Sequence, residues 1–181
     1  MSRWIQTFTG RRFDVFAPNP DHIHLLDIAT ALAHTCRFSG HVPYHYSVGQ
    51  HSLLMSRVVP PAVALEALLH DAAEAYLGDV PRPIRQGLQD YNAVMGLVET
   101  AVAQRFGLVY PWPDAIHEAD MRMVITEAHA FNKDTTGWGI DAAPYGDVVV
   151  APMYPKDVME LFIDRFLELE SARVMEDQNA R

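Results

Sequence analysis

Between Leu65 and Tyr76 the chain reads LEALLHDAAEAY. Its apolar residues Leu65, Leu68, Leu69, Ala72, Ala73 and Tyr76 recur at the three-to-four-residue spacing of a buried helical stripe. His70 and Asp71 stand side by side inside that stripe. Glu74 follows one turn later, and Asp79 lies just beyond in GDVPRP. Burying unpaired charge is expensive, so groups in such places are paired or coordinate a metal. Neighbouring residues on a helix point about 100° apart, which lets His70 and Asp71 both flank one ion at the helix edge. Imidazole suits zinc, iron and related transition metals, and added carboxylates favour harder ions such as manganese.

Two residues do not complete a site, so other helices must contribute. In VGQHSLLMSRVV the stripe Val48, His51, Leu54, Met55, Val58 puts His51 on the apolar face. In DAIHEADMRMVITEAHAF, Ile116, Asp120, Met123 and Val124 share a face with Glu127, placing the Asp120 carboxylate where a core residue belongs. Taken singly, His51 also reads as a hydrogen-bonded core histidine and Asp120 as a buried salt-bridge partner, because buried polar groups usually find ordinary partners. Their succession on three core-facing helices favours one shared site.

The elements that must hold these groups are mostly helical. WIQTF, a Thr9-Gly10 turn and RRFDVF predict a short hairpin within residues 1–20, which also hold the entry loop. Helical spacing follows in HLLDIATALAHTC, then a loop around Gly40 and Pro43. Ser47 is placed to cap the helix carrying His51, and Pro61 to open the one carrying His70. One long helix is expected from about Pro83 to Phe106, stopped by Gly107, and another after Pro113. Residues 133–155 read mainly as loop. YPKDVMELFIDRFLELESARV predicts a last amphipathic helix, and residues 172–181 a frayed tail. The expected fold is all-α, a single domain over 1–181 with a minor N-terminal β-hairpin.

The order His51, His70-Asp71, Asp120 resembles the HD-domain metal-dependent phosphohydrolases. Within them, YSVGQHSLLM and LLHDAAEAYLGDVPRPIR are similar to the bacterial 5′-deoxynucleotidases and the phage dATP triphosphohydrolases. The resemblance spans roughly residues 37–131 and implies a single HD-domain helical bundle. It also implies one divalent ion, Zn, Mn, Co, Fe or Mg, held by His51, His70, Asp71 and Asp120. The implied substrate is a small deoxynucleotide, cleaved to a deoxynucleoside and phosphate or, from a dNTP, to triphosphate. A cyclic-nucleotide phosphodiesterase of the same superfamily and a non-catalytic nucleotide-sensing or scaffold protein are the alternatives. Relatives of this kind assemble, so a homo-oligomer is expected.

The remaining charges then take roles. Glu74, one turn from His70, is placed to relay a proton. Asp79 is placed to position the attacking water or a second metal. Their ordinary readings are a solvated helix charge and a turn residue. Arg37 matches the arginine that precedes an aromatic residue in the deoxynucleotidases and suits a phosphate. Phe38 stands where those relatives carry tryptophan beside the sugar. Arg85 corresponds to a basic residue near the phosphates, and reads equally well as a surface charge. Pro81 shapes the turn and is placed to stiffen the pocket floor.

Composition excludes several other classes. The chain has 181 residues, 49% hydrophobic and 20% charged, with a net charge of -9. That balance opposes a broad duplex nucleic-acid surface, though a few arginines suffice for one phosphate. Cys36 is the only cysteine, so no internal disulfide forms, and it reads as a small packing group without a companion for a Cys–His pair. With no signal-peptide pattern and no long apolar run, a cytoplasmic protein with no membrane partner is expected.

Overall fold

The computed structural model describes residues 3–179. Strands β1 (Trp4–Gln6) and β2 (Arg12–Asp14) pair antiparallel with Ile5 opposite Phe13. Gly10, at φ 83°, closes their turn. Only Phe13 of this hairpin is fully buried; it stacks on Tyr76 with ring centroids 4.1 Å apart. The rest of the ordered structure is helical. A 3-10 turn (Pro20–His22) leads to α1 (Leu25–His34), and a second one (Arg37–Gly40) to α2 (Val48–Val58). Ser47 caps α2, its Oγ accepting from the Gln50 N–H at 3.1 Å. A third 3-10 turn (Pro61–Val63) opens α3 (Ala64–Leu69). Then come α4 (Glu74–Leu77), α5 (Arg82–Arg85), α6 (Gln89–Phe106), α7 (Asp114–Ala130) and α8 (Pro155–Asn179).

Helix α2 is the hub. It packs against α1, α3, α7 and α8, which buries most of its residues. The approach to α1 and α8 is close enough to require glycine. A Cβ at Gly49 would lie 3.1 Å from the Ala33 backbone nitrogen and 3.1 Å from Val158. The core around it joins Ile28, Leu32, Val48, Leu68, Leu69, Val102 and Phe162, all fully buried. A second apolar cluster, with Met55, Ala67, Trp112, Ile116 and Met123, fixes α7 against α2 and α3.

The architecture is all-α with the N-terminal hairpin, as the periodicity predicts. Three local expectations change. The helix expected to run through His70 ends as α3 at Leu69. His70 and Ala73 keep helical dihedrals, but the hydrogen bonds tighten to Ala72 N–H to Leu69 O, Glu74 N–H to Asp71 O and Ala75 N–H to Ala72 O. This is 3-10 winding, carried on into α4.

The helix expected from Pro83 to Phe106 is broken. Gln86, Gly87 and Leu88 separate α5 from α6, with Leu88 at ψ 76°, because glycine gives no helical preference where the chain bends. The tail expected to fray from residue 172 is helical to Asn179. Residues 180–181 lie outside the described residues, and Arg173 anchors the start of the helical tail. Its guanidinium donates to the Phe106 and Gly107 carbonyls at 3.1 and 3.2 Å and to Glu170 at 2.8 Å, tying α8 to the end of α6.

The segment between α7 and α8 carries no helix or strand, yet it is held down at several points. Tyr44 Oη donates to the Val150 carbonyl at 3.1 Å, Gln50 Nε2 to the Ala151 carbonyl at 2.6 Å, and the Tyr145 N–H to Thr126 Oγ1 at 2.9 Å. No helix among the described residues is long and apolar enough to cross a membrane.

Candidate metal centre

His51 lies on the third residue after Gly49's neighbour Val48, where α2 is clamped between its neighbours, and it is fully buried. Its Nδ1 donates to Glu127 Oε1 at 2.6 Å. That leaves Nε2 facing the opposite way, 3.2 Å from Asp120 Oδ1 and 3.7 Å from Asp71 Oδ2, without hydrogen-bond alignment to either. His70 sits at the end of α3, where the chain tightens. Its Nδ1 donates back to the Ala67 carbonyl at 2.8 Å, and its Nε2 stands 3.3 Å from Asp71 Oδ2. Both Nε2 atoms are buried and have no hydrogen-bond partner.

The two imidazole rings are 5.3 Å apart between centroids. Donor atoms of His51, His70 and Asp120 lie within 4.8 Å of one another. Ligands about 2.0–2.2 Å from one tetrahedral ion are themselves roughly 3–3.5 Å apart. The 3.2 and 3.3 Å separations match that spacing. A buried imidazole with a protonated Nδ1 and an unpartnered Nε2 has the tautomer a metal ligand needs, and this group has two. The residues therefore fit a divalent transition-metal ion. Asp71, the fourth predicted ligand, stands 3.3 Å from His70 Nε2 and 3.7 Å from His51 Nε2, beside the His51, His70 and Asp120 group.

Electrostatics agree with a site built for positive charge. Burial and the Arg37 charge press His51 downward, but Glu127 and Asp120 outweigh them and hold it at about 9. Burial works against ionised Glu127, yet Arg37 and His51 hold it down at about 2. Asp120 is likewise held below the usual carboxylate range despite burial, chiefly by its contact with His51.

The other predicted residues fall in three places. Arg37 opens the 3-10 turn after α1. It is not a free phosphate fork: Nη2 donates to Glu127 Oε2 at 2.8 Å, while Nη1 stands 3.8 Å from Asp71 Oδ2. Phe38 and Ser39 follow at φ 53° and 51°, a backbone region costly for residues with a Cβ, whose strain collects at functional sites. Phe38 packs edge-on against Phe131 at 5.7 Å, with Lys133 Nζ 5.2 Å above its ring.

Glu74 is buried, and its Oε2 has no hydrogen-bond partner. Burial first, then the charges of Asp71 and Asp79, raise its carboxyl well above the usual range. Asp79, raised mainly by burial, follows Gly78 on the turn leading to Pro81 and to Arg85 in α5. Among the described residues, the Asp79 and Arg85 side chains form no hydrogen bond or ion pair with the His–Asp group, and Asp79 does not join a second metal-binding group.

Two features escape sequence reasoning. Glu127 shares a face with Asp120 in the periodicity, but its position as a fully buried acceptor for three donors does not show there. Its signal is an acid two turns after Asp120 on a face otherwise filled by Ile116 and Met123. Cys36 does have an imidazole partner. His45 donates from Nε2 to the Ala33 carbonyl at 2.9 Å and turns Nδ1 to Cys36 Sγ at 3.5 Å. The isolated bridge between Cys36 and Ser47 brings the two together.

No family model matches the chain. It is similar to the uncharacterized protein YfdR of Escherichia coli (strain K12), 35% identical over 175 residues, covering 94% of this chain and 97% of YfdR. It is also similar to an uncharacterized protein of Rhodobacter capsulatus, 36% identical over 126 residues and 64% of either chain. A match of that identity running nearly end to end through both sequences shows that the protein belongs to the family of YfdR.

Proposed function

We propose that the protein is a metal-dependent phosphohydrolase with an HD-domain fold, acting on deoxyribonucleotides as a 5′-deoxynucleotidase or a dNTP triphosphohydrolase. One observation carries the reading. Two buried imidazole nitrogens, on His51 and His70, have no hydrogen-bond partner and converge with the Asp120 carboxylate at ligand spacing. Leaving such nitrogens unsatisfied costs stability unless something binds them. The resemblance of the surrounding motifs to HD-domain hydrolases supplies the reaction class.

When bound, a divalent ion neutralises phosphate charge and makes water a better nucleophile. The chain's own residues do the rest. Arg37, with Nη2 committed to Glu127, offers Nη1 to a phosphate oxygen on the Asp71 side. Glu74, whose proton affinity is raised by burial and by its acidic neighbours, is placed to hand a proton to the leaving sugar oxygen. Asp79 orients the attacking water from the turn after Gly78. Phe38 presents an apolar wall to the sugar, and Pro81 and Arg85 border the turn where the rest of the nucleotide lies.

The test is a product screen of dNMPs and dNTPs with Mn²⁺, Co²⁺, Zn²⁺ and Mg²⁺, resolved by chromatography. Phosphate released from dNMPs identifies a nucleotidase, and triphosphate from dNTPs the alternative cleavage. No turnover of any deoxynucleotide with any of the four ions overturns the proposal.

A further inference from the structure

The metal and phosphate arms of this site meet in a side chain that touches neither ligand. Glu127 is fully buried on α7, and three donors converge on it. Oε1 accepts from His51 Nδ1 at 2.6 Å and from Tyr46 Oη at 2.7 Å, and Oε2 accepts from Arg37 Nη2 at 2.8 Å. An ionised carboxylate only accepts. His51 Nδ1 must therefore carry the proton, and its Nε2 lone pair is the one turned toward His70 and Asp120. The same group balances the Arg37 charge and anchors one terminal nitrogen of its guanidinium. Glutamine could not serve all three donors. The amide of glutamine could accept from His51, but its NH₂ would then face the N–H groups of Arg37.

We propose that Glu127 is the positioning residue of the centre: one buried carboxylate sets the tautomer and ring plane of His51 and the orientation of Arg37 together. The metal ligand and the phosphate donor are thereby held at a fixed separation through a single anchor. This rests on the metal-dependent phosphohydrolase reading above. An acidic partner on the far nitrogen of a ligating histidine also makes that histidine a stronger ligand, an effect typically worth 10–100-fold in metal affinity.

The experiment is calorimetric titration of the metal-stripped full chain with Mn²⁺, for the unmodified protein, Glu127→Gln and Tyr46→Phe, with a urea melt of each. Glu127→Gln is expected to weaken Mn²⁺ binding by about 10–100-fold and, when saturated with Mn²⁺, to raise KM for a dNMP. Tyr46→Phe loses one hydrogen bond to the same carboxylate; it is expected to lower stability while leaving Mn²⁺ affinity unchanged. Glu127→Gln binding Mn²⁺ as the unmodified protein does overturns the proposal. So does a loss of affinity in both variants that merely follows their loss of stability, since that describes a packing role.

A second measurement needs no variant. In the Zn²⁺-loaded protein, the ¹⁵N resonances of His51 should show a protonated Nδ1, and a protonated Nε2 overturns the proposal. An unmodified protein that takes up no divalent ion brings down the hydrolase reading and this inference together. That result is distinct from a Glu127→Gln variant that binds normally.

Discussion

Arg37 Nη1 stands 3.8 Å from Asp71 Oδ2, facing the carboxylate without committing a hydrogen bond to it. Its other terminal nitrogen is tied to the fully buried Glu127. Arg37 is thus a structural counter-ion on one side and an available donor on the other. Arg37→Ala is predicted to lower kcat/KM for every nucleotide substrate. It should also destabilise the fold by about 3–5 kcal/mol, the usual cost of stranding one member of a buried ion pair. Urea melts and kinetics on dNMPs check both. A variant with the unmodified protein's melting midpoint contradicts the assignment.

Glu74 and Asp71 are three residues apart and should fail differently. Glu74→Ala is predicted to retain metal and fold while turnover drops by about 10²–10⁴-fold, the usual worth of general acid–base help. Asp71→Ala is predicted to lose metal as well as activity. Metal content by atomic emission beside single-turnover rates separates them. Normal turnover by Glu74→Ala removes it from the mechanism.

On the proposed deoxynucleotide reading, Phe38 offers the sugar an apolar wall that leaves a 2′-hydroxyl unpaired. That penalises a ribonucleotide by roughly 1–3 kcal/mol, about 5–150-fold in kcat/KM. Phe38→Ala is predicted to erode the deoxyribose preference more than it lowers activity. Equal kcat/KM for dAMP and AMP, and likewise for dATP and ATP, in the unmodified protein is the result that excludes this.

Glu99, on α6, accepts from Tyr110 Oη at 3.0 Å. Burial raises its carboxyl above the ordinary value of 4.5, more than the tyrosine bond lowers it. A carboxyl raised in the folded state binds more protons there than when unfolded. Its favourable contribution is therefore complete below the ordinary value and is lost as pH rises through the folded one. Glu99→Gln keeps an acceptor for Tyr110 and carries no charge. It is predicted to be more stable than the unmodified protein at pH 7, with the advantage vanishing near pH 4. Chemical denaturation at both pH values measures it, and an unchanged midpoint at pH 7 refutes it.

The parts of the site legible in the sequence are those where a charged residue interrupts an apolar stripe. His51, His70, Asp71 and Asp120 all stand out this way, because helical periodicity shows which face a residue occupies. It does not show the depth at which a residue sits. Glu127 lies on the same face as Asp120, yet nothing in the spacing separates a buried three-way acceptor from a solvated acid. Nor does periodicity distinguish 3-10 winding from α-helix, so the tightening at 70–73 is invisible until the hydrogen bonds are seen. Arg37 reads as a free phosphate donor because its counter-ion is 90 positions away. The pairing of Cys36 with His45 crosses a loop whose path local pattern does not dictate. The helical tail was lost for the same reason: Arg173 is anchored to the end of α6, a contact between distant parts of the chain.

Gly49 lies two positions before His51, where α2 nearly touches the backbone of α1 and the side chain of Val158. A methyl group there has no soft neighbour on the α1 side to yield, so α2 would have to move as a body. For anyone redesigning this protein, α1, α2 and α8 are consequently one mechanical part. Volume added between them, far from any reacting group, would shift the position of His51, so thermostabilising this seam cannot be done without moving the candidate site.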